Sequence, residues 1–227
     1  MEISKKEQMK YLIILLLLTS CNEHKHESKH KHESAHHHKK HDFSDTKKWS
    51  KIFEDKKRDK WQKPNDVLEF AKIGTNSVVV DIGSATGYFP VRIAKIARKG
   101  RVWGIDVEPS LVNFLNERAR KEGLSNLFSI LGTYADPLLP EPASHIFIVD
   151  TYHHINSRVK YFKHLKTKLQ KDGSLIVVDF KKGDLPFGPK DKMKLSAEKV
   201  IAELAKAGYK LERRLDTLPY QYVLLFK

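Results

Sequence analysis

Apolar residues in this chain follow two spacings. Short, nearly continuous runs read as strands buried on both faces: residues 78–82, 101–106, 126–131, 145–150 and 173–180. Between and after them, apolar residues recur at helical spacing over residues 88–98, 111–122, 157–170 and 197–207. In the first of these helices Val91, Ile93, Ala94, Ile96 and Ala97 form the face that packs on a sheet. Strands alternating with helices predict an α/β fold around a parallel sheet. Two more apolar runs, residues 209–216 and 220–226, are joined by a short turn at Leu218 and Pro219 and add a terminal hairpin. Ahead of the repeats, residues 49–73 look helical and amphipathic. Trp49, Ile52 and Phe53 make one apolar cluster there and Val67, Leu68 and Phe70 a second, with Pro64 suited to the first turn of the second helix. Further upstream the pattern fails. Residues 22–45 have no apolar period, so no burial offsets the entropy of ordering them, and they read as a disordered tether.

The loop after the first strand carries the first candidate chemistry. The strand closes on Asp81, and Gly83 and Gly87 follow, four positions apart. Strand, glycine loop and helix make the first half of a βαβ nucleotide-binding unit. Glycine suits it because the backbone must turn sharply and admit a ligand with no Cβ in the way. A dinucleotide fingerprint needs G-x-G-x-x-G, but Ala85 sits between the two glycines and Tyr88 takes the third glycine position. The pattern D-x-G-x-x-x-G instead resembles the first motif of class I S-adenosylmethionine-dependent methyltransferases, acid-x-G-x-G-x-G, with Ala85 for the middle glycine. For the loop alone, a plain α/β turn is the alternative. The second strand ends in Asp106, where these enzymes keep an acid that accepts both hydroxyls of a ribose. Its alternative is an acid capping the helix that begins near Pro109.

The resemblance covers about residue 48 to the C terminus. It implies a Rossmann-like class I methyltransferase fold: a seven-stranded, mostly parallel sheet whose last strand is antiparallel, as the terminal hairpin suggests. It implies that Asp81, Gly83, Ala85, Gly87 and Asp106 bind S-adenosyl-L-methionine. A side chain from the loop after the third strand often accepts from the adenine amino group. Asp136 is the natural candidate, with Thr133 and Tyr134 open and an Asp-Pro turn as the alternative. The run from Phe53 to Pro64 resembles the lead-in of a bacterial branch of the family, whose leading helices often lid the cofactor cleft. Trp61 and Gln62 are then candidate cleft residues, with a plain core anchor as the alternative for Trp61.

Catalytic candidates lie past the fourth strand, in Asp150-Thr151-Tyr152-His153-His154-Ile155. Ligands in open parallel sheets sit beyond the carboxyl ends of the strands, so Asp150, His153 and His154 would line the place where methyl meets acceptor. An imidazole titrates near working pH and can deprotonate a hydroxyl, thiol or amine; a helix cap is the alternative. Asp150 and Asp179 end adjacent strands, as a metal-chelating pair would in catechol-type enzymes, but those place Asn where Phe180 stands here. No Asn-Pro-Pro-Tyr follows the fourth strand, and the domain has no cysteine for pyrimidine-carbon or radical chemistry. A small-molecule acceptor and an EC 2.1.1 activity are the expectation.

The N terminus changes the setting. Lys5, Lys6 and Lys10 precede an apolar run, residues 11–18, too short to span a bilayer. Leu18-Thr19-Ser20-Cys21 then resembles the lipobox of bacterial lipoproteins, which are cut before a cysteine that is lipidated. Cys21 is the only cysteine in the chain. This implies a signal peptide over residues 1–20, a His-rich tether over 21–45, a methyltransferase domain over 46–227, and a membrane-tethered protein at the bacterial cell envelope. If the signal is not used, the domain stays in the cytoplasm, where the cofactor is made. The tether's eight histidines (His24, His26, His30, His32, His36, His37, His38 and His41) read as a solvated spacer or as ligands for zinc, nickel or copper. The net charge is +14, with 27 Lys and Arg against 18 Asp and Glu from residue 61 onward. That excess favours lipid head groups, nucleic acid or acidic small molecules; with no RNA-binding module visible, nucleic acid ranks last. The rival to a working enzyme is a non-catalytic methyltransferase-fold binding protein whose His-rich arm captures metal.

Overall fold

The computed structural model describes residues 45–227. The expected signal peptide, Cys21 and nearly all of the tether lie outside the described residues. Three short helices lead the domain: α1 (Thr46–Phe53), α2 (Lys57–Gln62) and α3 (Pro64–Ala71). Then come β1 (Val78–Ile82), α4 (Tyr88–Ile96), β2 (Arg101–Asp106), α5 (Pro109–Lys121), β3 (Leu127–Leu131) and β4 (Ala143–Val149). The chain ends with α6 (Arg158–Lys166), β5 (Leu169–Phe180), α7 (Ala197–Lys206), β6 (Leu211–Leu215) and β7 (Gln221–Phe226).

The seven strands form one sheet in the order β3-β2-β1-β4-β5-β7-β6. β1 to β5 pair in parallel, and β7 runs antiparallel to both β5 and β6. This is the Rossmann-like class I methyltransferase arrangement.

Alternate residues of each strand face opposite sides, which is why the strands read as continuous apolar runs. Val80, Ile82, Ile146, Ile148, Leu175, Val177 and Leu224 pack against α6 and α7 through Phe162, Leu165, Val200 and Leu204. Val79, Phe147, Val149, Ile176, Val178, Val223 and Leu225 pack under α3, α4 and α5. Each such side chain, fully buried, contributes about 1.5–3 kcal/mol.

The structure differs from the expected bounds in several places; α6 ends at Lys166 rather than at 170, and β6 begins at Leu211 rather than at 209. β4 begins two residues early and β5 four, because Ala143 pairs with Leu169 ahead of a register shift. Gly173 sits at that irregularity, where a Cβ would lie 2.9 Å from the Ala143 carbonyl oxygen. The helical stretch before β1 is broken into three, with Lys63 left-handed (φ 45) between α2 and α3. Pro64 does open α3, as expected. Among the described residues no helix is long and apolar enough to cross a membrane.

Candidate active site

The strand order runs from β1 outward to β3 and then returns past β1 to β4. The loops after β1 and β4 therefore diverge at one point, where open α/β sheets bind ligands. The β1 loop has a conformation that few residues accept: Gly83 (φ 78), Ala85 (φ 46) and Gly87 (φ 91) are all left-handed. The N–H groups of Gly83 and Ser84 donate to the Ile105 carbonyl at 2.8 and 3.2 Å, tying the loop to β2. A Cβ on Gly83 would lie 2.2 Å from Thr151 Oγ1 in the β4 loop, so only glycine lets the two loops meet this closely. Ala85 carries roughly 1 kcal/mol of left-handed strain, offset where its N–H donates to Asp106 Oδ2 at 2.9 Å.

Asp106 is buried at the end of β2, and its Oδ1 accepts from the Glu108 N–H at 3.1 Å. Burial raises its pKa, while the backbone donors pull it back down. Each carboxylate oxygen has two acceptor sites, so capacity for hydroxyl donors remains. Asp81 is 3% exposed, and its Oδ1 has no hydrogen-bond partner among the described residues. Burial pushes its carboxyl well above the ordinary range, and Arg58 opposes that only in part. A buried, unpartnered carboxylate oxygen next to a glycine loop suits a ligand bringing a cationic donor. These residues fit S-adenosylmethionine, which carries an ammonium group and a ribose diol.

Asp136 stands apart from this group. Its Oδ1 accepts from the Leu138 N–H at 2.8 Å, and its Oδ2 lies 3.1 Å from His164 Nε2 on α6. The loop it belongs to does start beside Asp106, since the Gly132 N–H donates to the Asp106 carbonyl at 2.9 Å. Thr133 bonds the Asp136 backbone, and Tyr134 is exposed.

Past β4, Asp150 is left-handed (φ 53). Three donors converge on its carboxylate: Arg58 Nη2 at 3.3 Å, Gln62 Nε2 at 3.1 Å, and Gln221 Nε2. Burial lifts its pKa to about 6, against the pull of Arg58. Arg58 also donates to the Phe53 carbonyl at 2.9 Å and to Gln62 Oε1, and lies 4.0 Å over the Tyr88 ring. Glu54, just before α2, accepts from Thr86 Oγ1 at 2.7 Å. The leading helices are thus fastened to both loops of the cleft.

His153 lies in a single 3₁₀ turn (Tyr152–His154). Its Nδ1 is 2.9 and 3.0 Å from the two carboxylate oxygens of Asp179, and its N–H donates to the same group at 3.3 Å. Burial lowers the imidazole pKa, but the bond and charge of Asp179 outweigh it and hold it above the ordinary value. With Asp179 on Nδ1, that nitrogen carries the proton and Nε2 presents the lone pair. His154 is exposed, its ring 4.2 Å from that of His153. Among the described residues no group of three or more His, Cys, Asp or Glu side chains is placed to hold a metal ion.

The structure therefore joins Asp81, Gly83, Ala85, Gly87 and Asp106 in one cradle, and His153 with Asp179 in a dyad. Three residues that the sequence did not single out for these roles are Arg58, Gln221 and Asp179 as the histidine's partner. Arg58 sits in a run of charges that reads as a solvated face. Gln221 left a faint signal, a lone polar residue heading an apolar strand.

Sheet order, cradle and acid place this chain among the class I methyltransferases. Residues 73–217 match the family described as "Methyltransferase domain", and the chain belongs to that family. It is 27% identical over 109 residues to (S)-coclaurine N-methyltransferase of Thalictrum flavum subsp. glaucum. That match covers 48% of this chain and 30% of the plant enzyme, so the chain spans under a third of that relative's length. Among solved structures, a SAM dependent methyltransferase from Aquifex aeolicus is similar at 26% identity and a TM-score of 0.75, over 82% of this chain and 98% of that one. Magnesium protoporphyrin IX methyltransferase from Synechocystis, solved with bound SAH, shares the fold at 15% identity and a TM-score of 0.63, over 81% and 95% of the two chains.

Proposed function

We propose that this protein is an S-adenosylmethionine-dependent methyltransferase acting on a small-molecule acceptor. The observation that carries the reading is the cradle: a left-handed glycine loop beside Asp81, whose buried Oδ1 lacks a partner, with Asp106 closing the far side. Asp81 receives the cofactor's ammonium group and Asp106 the ribose hydroxyls. The adenine edge falls to the loop holding Thr133, Tyr134 and Asp136. S-adenosylmethionine supplies a methyl group already activated on a sulfonium, so the protein's task is to orient the acceptor and exclude water. His153 takes the acceptor's proton at Nε2, and Asp179 fixes the tautomer that makes this possible. Asp150 holds the leading helices in place through Arg58 and Gln62 and does not itself move a proton.

The non-catalytic alternative draws no support from this site, which retains both a cofactor cradle and a histidine–carboxylate dyad. We further propose that Cys21 is lipidated and anchors the domain at the bacterial envelope, with the His-rich stretch as spacer. Mass spectrometry of the membrane fraction tests this: a diacylated Cys21 peptide supports it, and an intact N terminus in the soluble fraction opposes it. The methyltransferase reading is tested by titrating S-adenosylmethionine into the protein and into Gly83→Ala, whose added Cβ collides with Thr151 and displaces the loop of the cradle. Saturable binding confined to the wild type is expected, and equal behaviour of the two would overturn the assignment.

A further inference from the structure

Four aromatic rings from four chain segments meet at the carboxyl end of β5, and none of them belongs to either hydrophobic layer. Trp61 comes from α2, Phe180 from the end of β5, Phe187 from the link between β5 and α7, and Tyr220 from the residue before β7. The Trp61 ring lies 5.8 Å from Phe180, 5.9 Å from Phe187 and 6.4 Å from Tyr220. Trp61 and Phe187 are nearly parallel, at 14°, and Tyr220 meets Phe187 edge-on at 5.9 Å. Phe180 is buried as the floor, while Phe187 is 49% exposed. A lone exposed apolar residue is ordinary. A stack of rings open to solvent, next to buried titratable groups, is how small-molecule sites are built.

The chain neighbours of these rings are the polar residues of the candidate active site. Trp61 precedes Gln62, which donates to Asp150, and Tyr220 precedes Gln221, which donates to the same carboxylate. Phe180 follows Asp179, the partner of His153. The segment bearing Phe187 is bracketed by Gly183 (φ 109) and Gly188 (φ 96). A Cβ on Gly183 would meet nothing within 4 Å, but its N–H donates to Asp191 Oδ1 at 2.7 Å and its carbonyl accepts from Lys194 Nζ at 2.7 Å, which anchors that end of the segment; Gly188 lies against the Phe180 ring. A flat guest between two rings needs them roughly 7 Å apart, two van der Waals thicknesses. The Trp61 and Phe187 centroids, 5.9 Å apart, must separate to admit it, and Phe187, 49% exposed, is the ring free to shift.

We propose that this cluster is the acceptor platform and that the methyl acceptor is a planar aromatic compound, its ring seated between Trp61 and Phe187 with Tyr220 at its edge. The proposal rests on the methyltransferase reading above and names its substrate class. A flat π-system gains stacking on both faces, which a puckered aliphatic skeleton of the same size does not.

The test is a calorimetric titration of 2-naphthol and its saturated counterpart, decahydro-2-naphthol, into the full chain, with and without saturating S-adenosylhomocysteine. Naphthol is expected to bind about tenfold tighter than the saturated compound. Phe187→Leu and Tyr220→Leu should each remove a large part of that preference while leaving S-adenosylmethionine affinity unchanged. Equal affinity for the two compounds, no binding of naphthol, or indifference to both substitutions would overturn the proposal. S-adenosylmethionine titrated into the same samples reads the cofactor assignment separately. Its failure to bind would sink the methyltransferase reading, while the naphthol series would still decide the platform.

Discussion

Replacing Arg58 with Met keeps the length of the side chain and removes its charge from the cleft. Arg58 Nη2 and Asp150 Oδ2 are 3.3 Å apart, with 13% and 23% of the two side chains exposed. At that distance and an effective dielectric of about 20, their attraction is about 5 kcal/mol. Freeing Arg58 from burial returns roughly half of this, so the variant should lose about 2–3 kcal/mol at pH 7.5. At pH 5 the sum changes, because Asp150 has a pKa of about 6 and is then mostly neutral. What remains is the bond to Phe53 and the Tyr88 contact, about 1 kcal/mol, against an undiminished return from freeing Arg58 from burial, so at pH 5 the variant should be no less stable than the wild type. The sign agrees with linkage. A carboxyl whose pKa is raised on folding favours the fold below its unfolded value, and that contribution is lost as pH rises through about 6. Arg58 matters most where that loss is complete. Urea unfolding of wild type and Arg58→Met at the two pH values measures the difference. An equal loss at both would mean that Arg58 acts by packing alone and would refute the electrostatic argument.

Three further outcomes follow from the site. Gly83→Ala should cost roughly 2–4 kcal/mol, from left-handed strain plus collision with Thr151, and Thr151→Ala in the same chain should recover part of it in thermal melts. Ala85→Gly removes the strain at φ 46 and should stabilise by up to about 1 kcal/mol in urea without weakening cofactor binding; destabilisation would mean the alanine methyl packs usefully. Asp179→Asn should lower the His153 titration midpoint, followed by NMR, because burial is then opposed only by the charge of Asp150. Since the raised imidazole pKa stabilises below the unfolded value and is lost as pH rises through the folded one, the stability gap between wild type and this variant should be wider at pH 6 than at pH 9.

Much of this was legible in the sequence, for identifiable reasons. The strands β1, β2 and β3 fall within a residue of their apolar runs because burial on both faces leaves no other composition. Gly83, Gly87 and Asp106 announced the cradle because positive φ and a strand-end acid each restrict the residue type. The early start of β5 was hidden, since residues 169–172 pair only through Ala143, and the helix was expected to run on to Gln170. The break before Pro64 was legible because proline suits a first turn, whereas the break between α1 and α2, at residues 54–56, was silent in a run of charged residues. Arg58 and Asp179 needed three dimensions. A buried arginine and an exposed one look alike in sequence, and the partner of His153 lies 26 residues away, near the end of β5.

The central claim is that the cradle holds S-adenosylmethionine. Calorimetric titration of that compound into the full chain, beside Asp106→Ala, tests it most directly. The account predicts saturable one-to-one binding by the wild type and a loss of at least about tenfold in the variant, the cost of two hydrogen bonds to a charged acceptor. Absence of binding by a folded wild type, or equal affinity in both proteins, would contradict it.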